Sequence, residues 1–302
     1  MVTFEETNQT LMTTDLVDTC DLIAVMIYHE ILYGATYKLV FMNACLQVDD
    51  LVGNTGNELC VATLGRGEFT ARTISEADMD LSGMTKDKIS PTTVSISIGD
   101  IVYVATRISD VLKEDSTLDW VRASLSKMGE AIGYRIDCDI RDTLVVGAGH
   151  VATPITLGTL SYDDVVDAVA SLKVSGYWGT DGDFLLFCNA DQEKDLVKDT
   201  RFTDTARYST ANIPLVGEIG KFSSCIAFVT DIPMEWNNGV AYAIVVASPT
   251  NKYGPACMFA WKRHIKQEAW RDAQEQRDVF SLSTRYAVGV IFPDAISLIS
   301  DC

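Results

Sequence analysis

The chain has 302 residues, 47% of them hydrophobic and 22% charged, a composition that sustains a packed core and excludes a disordered polymer. Its formal net charge of −18 opposes nucleic-acid phosphate, which argues against reading DNA or RNA sequence as a primary role. No apolar run approaches the ~18 residues of a membrane-spanning helix, and the polar, acidic start MVTFEETNQT is not expected to act as a secretory leader.

In chain order, residues 1–13 are polar and aperiodic and read as an arm. Leu16, Cys20, Ile23, Ile27 and Ile31 then recur every three or four positions, which predicts an amphipathic helix stopped at Gly34. Residues 49–91 mix short β-prone pieces with Gly, Asn, Thr and acids and cannot build a core of their own. They predict an extended two-stranded excursion with strands at Leu59–Leu64 and Thr92–Ile98. Such a ribbon is marginal alone and needs something to lie on, which points to neighbouring subunits. TTVSISIGDIVYVATRI continues as strand, with a turn at Gly99-Asp100.

The strongest helical signal follows. Leu118, Val121, Leu125, Met128, Ile132, Ile136, Ile140 and Leu144 form one stripe, Ser116 or Thr117 can cap its start, and Gly147 closes it. Asp137 and Asp139 are expected on the polar side, in i,i+4 pairs with Arg141 and Arg135. At 1.5 Å per residue the helix is roughly 45 Å long, the length of a spine.

Beyond it the elements alternate. SYDDVVDAVASLK predicts a helix with a capping box from Ser161 to Asp164 and a stop at Gly176. DFLLFCNA reads as a buried strand, ADQEKDLVKDT as a short helix, Cys225–Thr230 as a strand, and AYAIVVAS as another buried strand. Together, Ala148 to Ser248 describe a compact second domain. In KRHIKQEAWRDAQEQRD propensity favours helix, while VFSLSTRYAVGVIFPDAISLI behind it is extended.

Motifs for chemistry are sparse. The eight cysteines form no C-x-x-C pair and sit mostly in apolar runs, so they are expected as reduced, buried thiols in a chain made in the cytosol. His29, His150 and His264 have no metal-ligand spacing, and no nucleophile elbow is present. Asp181 and Asp183 lie in GYWGTDGD without the other oxygen positions of a calcium loop. Asp137, Asp139 and Asp142 are expected as a solvated, paired face and not as a catalytic dyad. VGEIGKF has Gly217, Glu218, Gly220 and Lys221, but its spacing is not that of a phosphate loop. A strand follows where a helix would be needed, and Glu218 would repel an anion. The two glycines are read as a tight turn before a strand. No catalytic, cofactor-binding or metal residue is therefore expected.

Several pieces together carry a resemblance. SYDDVVDAVASLK, DFLLFCNADQEKDLVKDTRF, IPLVGEIGKFSSCIAFVTDIPM and STRYAVGVIFPDAISLI resemble, in order and spacing, the C-terminal two-thirds of tailed-virus (phage or archaeal virus) major capsid proteins. The stretch from Thr70 to Ile140 is similar to that family's extended loop, strands and spine helix. The resemblance implies an α+β chain of the Hong Kong 97-type fold. Its parts would be an N-terminal arm and helix (1–48), an extended loop (49–95), a peripheral domain with the spine helix (96–147), an axial domain (148–248), and a return to the peripheral domain with a final strand (249–302). For residues 262–278 the resemblance favours a long strand over a helix.

The implied function is a major capsid protein whose pentamers and hexamers close an icosahedral shell around double-stranded DNA without sequence-specific contact. The expected location is the virion, after assembly in the host cytoplasm. Portal, scaffold or cement proteins are the implied partners besides further copies of the chain. The family brings no catalytic residues. Some members cross-link through a lysine and an asparagine, but no motif here locates such a pair, and a fused, long, charged helical scaffold segment is not expected. The alternatives are an encapsulin-like compartment shell and, from another class, a soluble α/β enzyme using His150 or Asp181.

Overall fold

A computed structural model describes residues 39–63, 91–115, 120–152, 159–177, 183–198, 221–222, 224–234, 242–251 and 254–300. The predicted helix over Leu16–Ile31 lies outside them, as do the middle of the excursion, Asp181, Gly217 and Gly220.

The described chain opens with a 3-10 turn, Phe41–Ala44, and a short strand β1 (Cys45–Val48). Strands β2 (Glu58–Thr63) and β3 (Thr92–Ser97) follow, then β4 (Val102–Ser109), a short helix α1 (Asp110–Asp115) and the long helix α2 (Trp120–Val146). After β5 (His150–Ala152) come α3 (Tyr162–Val174), β6 (Phe184–Asn189), α4 (Ala190–Lys198), β7 (Lys221–Phe222), β8 (Cys225–Thr230) and β9 (Tyr242–Ala247). The chain ends in a long hairpin of β10 (Cys257–Asp272) and β11 (Arg277–Val290), a 3-10 turn at Pro293–Ala295, and β12 (Ile296–Ser300).

Three sheets result. One has the order β1-β10-β11-β4, with β1 parallel to β10 and the rest antiparallel. The second, β5-β12-β9-β6-β8-β7, is mixed, and its central strands β12, β9 and β6 are buried almost throughout. Burial on both faces explains why β6 and β9 read as continuous apolar runs and not as alternations. The third is the two-stranded β2-β3 ribbon. The final strand, β12, is hydrogen-bonded between β5 and β9 in the six-stranded sheet.

Helix α2 forms where its stripe predicts. Leu125, Met128, Ile132, Ile136, Ile140 and Leu144 are all buried, in one core that also takes in residues of both large sheets. Its 27 residues span about 40 Å. Gly147 ends it by allowing close approach: a Cβ there would stand 2.5 Å from Val290 Cγ2.

Helix α3 is fixed locally at both ends. Ser161 Oγ accepts the Asp164 N–H at 3.4 Å, and the Asp164 carboxylate accepts the Ser161 N–H at 2.8 Å. At its end Gly176 takes φ +88°, its N–H reaches the Lys173 carbonyl and the Tyr177 N–H reaches the Leu172 carbonyl, which together make a Schellman motif.

The segment with helical composition is strand. Residues 257–272 pair with 277–290 through bulges at Trp261–Arg263 and Arg263–Lys266. Pairing with β11, whose side chains alternate as a strand's do, overrides the local helix preference.

Candidate assembly interface

The residues singled out for chemistry do not converge. His150 lies on β5 with Nε2 2.7 Å from Ser175 Oγ, and His264 is half exposed on β10, tilted against Trp261 at 5.2 Å. No cluster of three His, Cys, Asp or Glu side chains able to hold a metal exists among the described residues. Lys221 begins β7, which pairs antiparallel with β8, so the chain beyond the two glycines runs extended. Ser224, at φ +69°, makes the turn between β7 and β8. Of the six described cysteines, all free, four are buried, Cys138 is half-buried and Cys60 is exposed.

The expected acidic face on α2 needs one correction. Asp139 is paired as predicted, with Arg135 at 2.9 Å, and it also accepts the Tyr286 hydroxyl at 2.7 Å. Asp142 takes Arg141 at 2.7 Å. Asp137, however, is fully buried and does not pair with Arg141, which donates instead to Asp142 and to the Pro233 carbonyl. The reason is helical phase. Gly129, Gly133 and Asp137 are i,i+4 neighbours, all buried, so the inward face of α2 is wider than its aliphatic stripe. The Asp137 carboxylate accepts the Val40 N–H at 2.6 Å and so ties the 3-10 turn before β1 to the spine.

Burial pushes the Asp137 carboxyl up to about 7, against the lowering pull of the Val40, Phe41 and Met42 N–H groups and with a small further push from Asp231. This folded value exceeds the unfolded one, about 3.9. The native state therefore holds the extra proton between those values, and the stability it contributes is full at low pH and lost as pH rises toward 7. Asp137→Asn keeps an oxygen for the Val40 N–H and removes the charge. It is expected to cancel a stability slope on the order of 1 kcal/mol per pH unit between about pH 5 and 7. Urea midpoints at pH 5 and pH 8 check this; a slope equal to wild type would refute it.

The exposed elements suit contact with other chains. The ribbon β2-β3 exposes alternate residues along both strands and touches the rest of the fold at its root. There Leu59, Val61, Ile96 and Ile98 join a small cluster with Met258, Ala260 and Ala287. Gly289 makes room for it, since a Cβ there would sit 2.5 Å from Ile96 Cγ1. Lys262 Nζ holds the preceding loop by donating to the Asn54 carbonyl and, at 2.8 Å, to that of Gly56. On the outer face of the four-stranded sheet, Tyr103 is 69% and Trp270 51% exposed. Beside Trp270, a cleft of 510 Å³ is lined by Arg107, Asp272, Arg277 and Val279, among others. Exposed aromatic rings next to arginines are the side chains that interfaces favour. Sequence reasoning found the ribbon but not this face, whose residues come from β4, β10 and β11.

A family model described as phage capsid protein matches residues 103–299, from β4 to β12. The chain belongs to the phage capsid protein family. Its structure is similar to the capsid of cyanophage P-SCSP1u at 13% identity and TM-score 0.68, over 86% of this chain and 87% of that one. It is similar to a structure from Mycobacterium phage Che8 at 17% identity and TM-score 0.68, over 87% and 91%. The virus-like particle of Pyrococcus furiosus aligns at 13% identity and TM-score 0.54, over 90% and 96%. No curated protein matches. The fold of this capsid protein is thus the Hong Kong 97 type, and it is a structural protein of the virion shell, built by self-assembly. No helix among the described residues is long and apolar enough to cross a membrane.

Proposed function

We propose that this chain is the major capsid protein of a tailed virus, assembled in the host cytoplasm into pentamers and hexamers that close an icosahedral shell around double-stranded DNA, without catalytic activity. The observation that carries the reading is the family match over residues 103–299, which takes in the spine helix, the six-stranded sheet and every strand of the four-stranded sheet but β1. The ribbon and the exposed sheet face supply the repeated, heterologous contacts that rings of five and six require, and many weak contacts add through avidity. The charge of −18 suits a wall that does not hold the packaged DNA tightly. Portal, scaffold and cement proteins are the further partners of this reading.

An encapsulin-like compartment shell is the second reading; the likeness to the Pyrococcus furiosus virus-like particle shows the shared fold alone, and the TM-scores to the phage structures are higher. Electron microscopy of particles from the cells that naturally make the protein tests both. DNA-filled icosahedral shells with a tail are expected, and a small DNA-free shell around a protein cargo overturns the reading.

A further inference from the structure

Cys45 and Cys257 stand directly opposite each other in the parallel pairing of β1 with β10, and their Sγ atoms are 2.6 Å apart. Paired strands run about 4.7–4.9 Å apart, within the 4.4–6.8 Å between Cα atoms that a disulfide spans. Both residues are buried, at 5% and 0% exposure. Cys188 and Cys225 also lie on paired strands, but Cys188 faces Val229 and Cys225 faces Phe184. Among the described residues, Cys45 and Cys257 are the opposed pair. Strand β1 is four residues long, lies at a sheet edge and is hydrogen-bonded on one side only, so a covalent link here would hold an edge strand.

We propose that Cys45 and Cys257 are a redox-controlled staple, open as two thiols in a reducing cytosol and closed as a disulfide joining β1 to β10 in an oxidising medium. Packed in place, both sulfurs are shielded, and the neighbouring Cys257 thiol together with burial holds the Cys45 thiol in its protonated form. Exchange therefore begins when β1 lifts from the sheet edge. The Cys45 thiolate attacks a small-molecule disulfide, which forms a mixed disulfide and releases one small thiol. While β1 is still lifted, Cys257 gives its proton to water and its thiolate attacks Cys45 Sγ, displacing the second small thiol before β1 packs back onto the sheet edge. Two protein thiols and one small disulfide become one protein disulfide and two small thiols, and no other oxidant is needed. The bond closes a chain segment of 212 residues, which restricts the unfolded ensemble. The chemistry is independent of the capsid reading; only its timing, after release from the cell, rests on it.

The test uses the purified full-length protein with oxidised glutathione, at a urea concentration low enough to loosen β1 without unfolding the chain. Alkylation, digestion and mass spectrometry follow. The expected result is a peptide linked through Cys45 and Cys257, a loss of two of the eight alkylatable thiols, recovery of both on reduction, and a higher urea midpoint for the oxidised form. Cys45→Ser should abolish the linked peptide and leave Cys257 alkylatable or glutathionylated. Full alkylation of both residues after the treatment, or linkage of Cys45 to a cysteine other than Cys257, overturns the proposal. The peptide map of the unsubstituted protein decides it even where the variant does not fold.

Discussion

Deleting residues 65–85 is expected to leave a folded subunit that no longer forms particles. The ribbon is rooted on the four-stranded sheet by Leu59, Val61, Ile96 and Ile98, and these residues are all retained. Thr63 and Thr92 are directly paired, so residue 64 and residues 86–91 suffice to join them, and a shorter closing loop carries no added entropic cost. The unfolding free energy should change by no more than about 0.5 kcal/mol, the range of substitutions that touch no core. The deleted residues are the ones the extended-loop reading gives to a neighbouring subunit. A two-stranded ribbon gains little from folding on itself, and in a shell its length is rewarded only by a neighbouring subunit. Sedimentation velocity and negative-stain microscopy should find dispersed subunits with a wild-type circular dichroism spectrum. Intact shells from the deleted chain would show that the ribbon is not an inter-subunit element. Loss of the folded spectrum would show that it belongs to the core.

The elements legible in the sequence are those whose determinants are local. Ser161, Asp164 and Gly176 lie within one helix length of each other, so α3 announces both of its ends. The stripe from Leu125 to Leu144 is periodic within α2, and Cys225–Thr230 is a bounded apolar run. Determinants far along the chain were hidden. The outer half of β10 is polar and exposed, so its composition suits a helix until β11 lies beside it. Asp137 looked solvated because two arginines lie near it in sequence. Its actual partner, the Val40 N–H, is 97 residues away. Gly129 and Gly133 were the available hint, since small residues at i−8 and i−4 mark a face that another segment approaches. The same limit applies to the surface: Tyr103 and Trp270 reach one sheet face from strands far apart in sequence, so no motif joins them.

The substitution expected to cost most stability is Phe187→Ala. Phe187 is fully buried on β6, at the centre of the six-stranded sheet. Its ring stacks on Phe41 at 4.8 Å and on Phe228 at 5.6 Å. It therefore joins two neighbouring strands of the six-stranded sheet, its own β6 and, through Phe228, β8, to the turn before β1 through Phe41. Truncating a buried phenylalanine removes its transfer free energy and leaves a cavity, a loss of about 3–5 kcal/mol. The stacked partners lose a further ~0.5–1.5 kcal/mol per pair. Phe187→Leu keeps most of the volume and should cost less, about 1–1.5 kcal/mol. The urea midpoint of dispersed subunits, followed by far-ultraviolet circular dichroism, measures both; an alanine variant within 1 kcal/mol of wild type would refute the packing argument. The stack also predicts non-additivity. Phe41→Ala combined with Phe187→Ala should fall short of the summed losses by about 0.5–3 kcal/mol, because one contact is removed twice. Additive losses would mean that the ring of Phe41 contributes to the turn alone. A measured coupling would place the energetic link between the N-terminal turn and the six-stranded sheet at this pair of rings, beside the Asp137 anchor that holds the same turn to the spine helix.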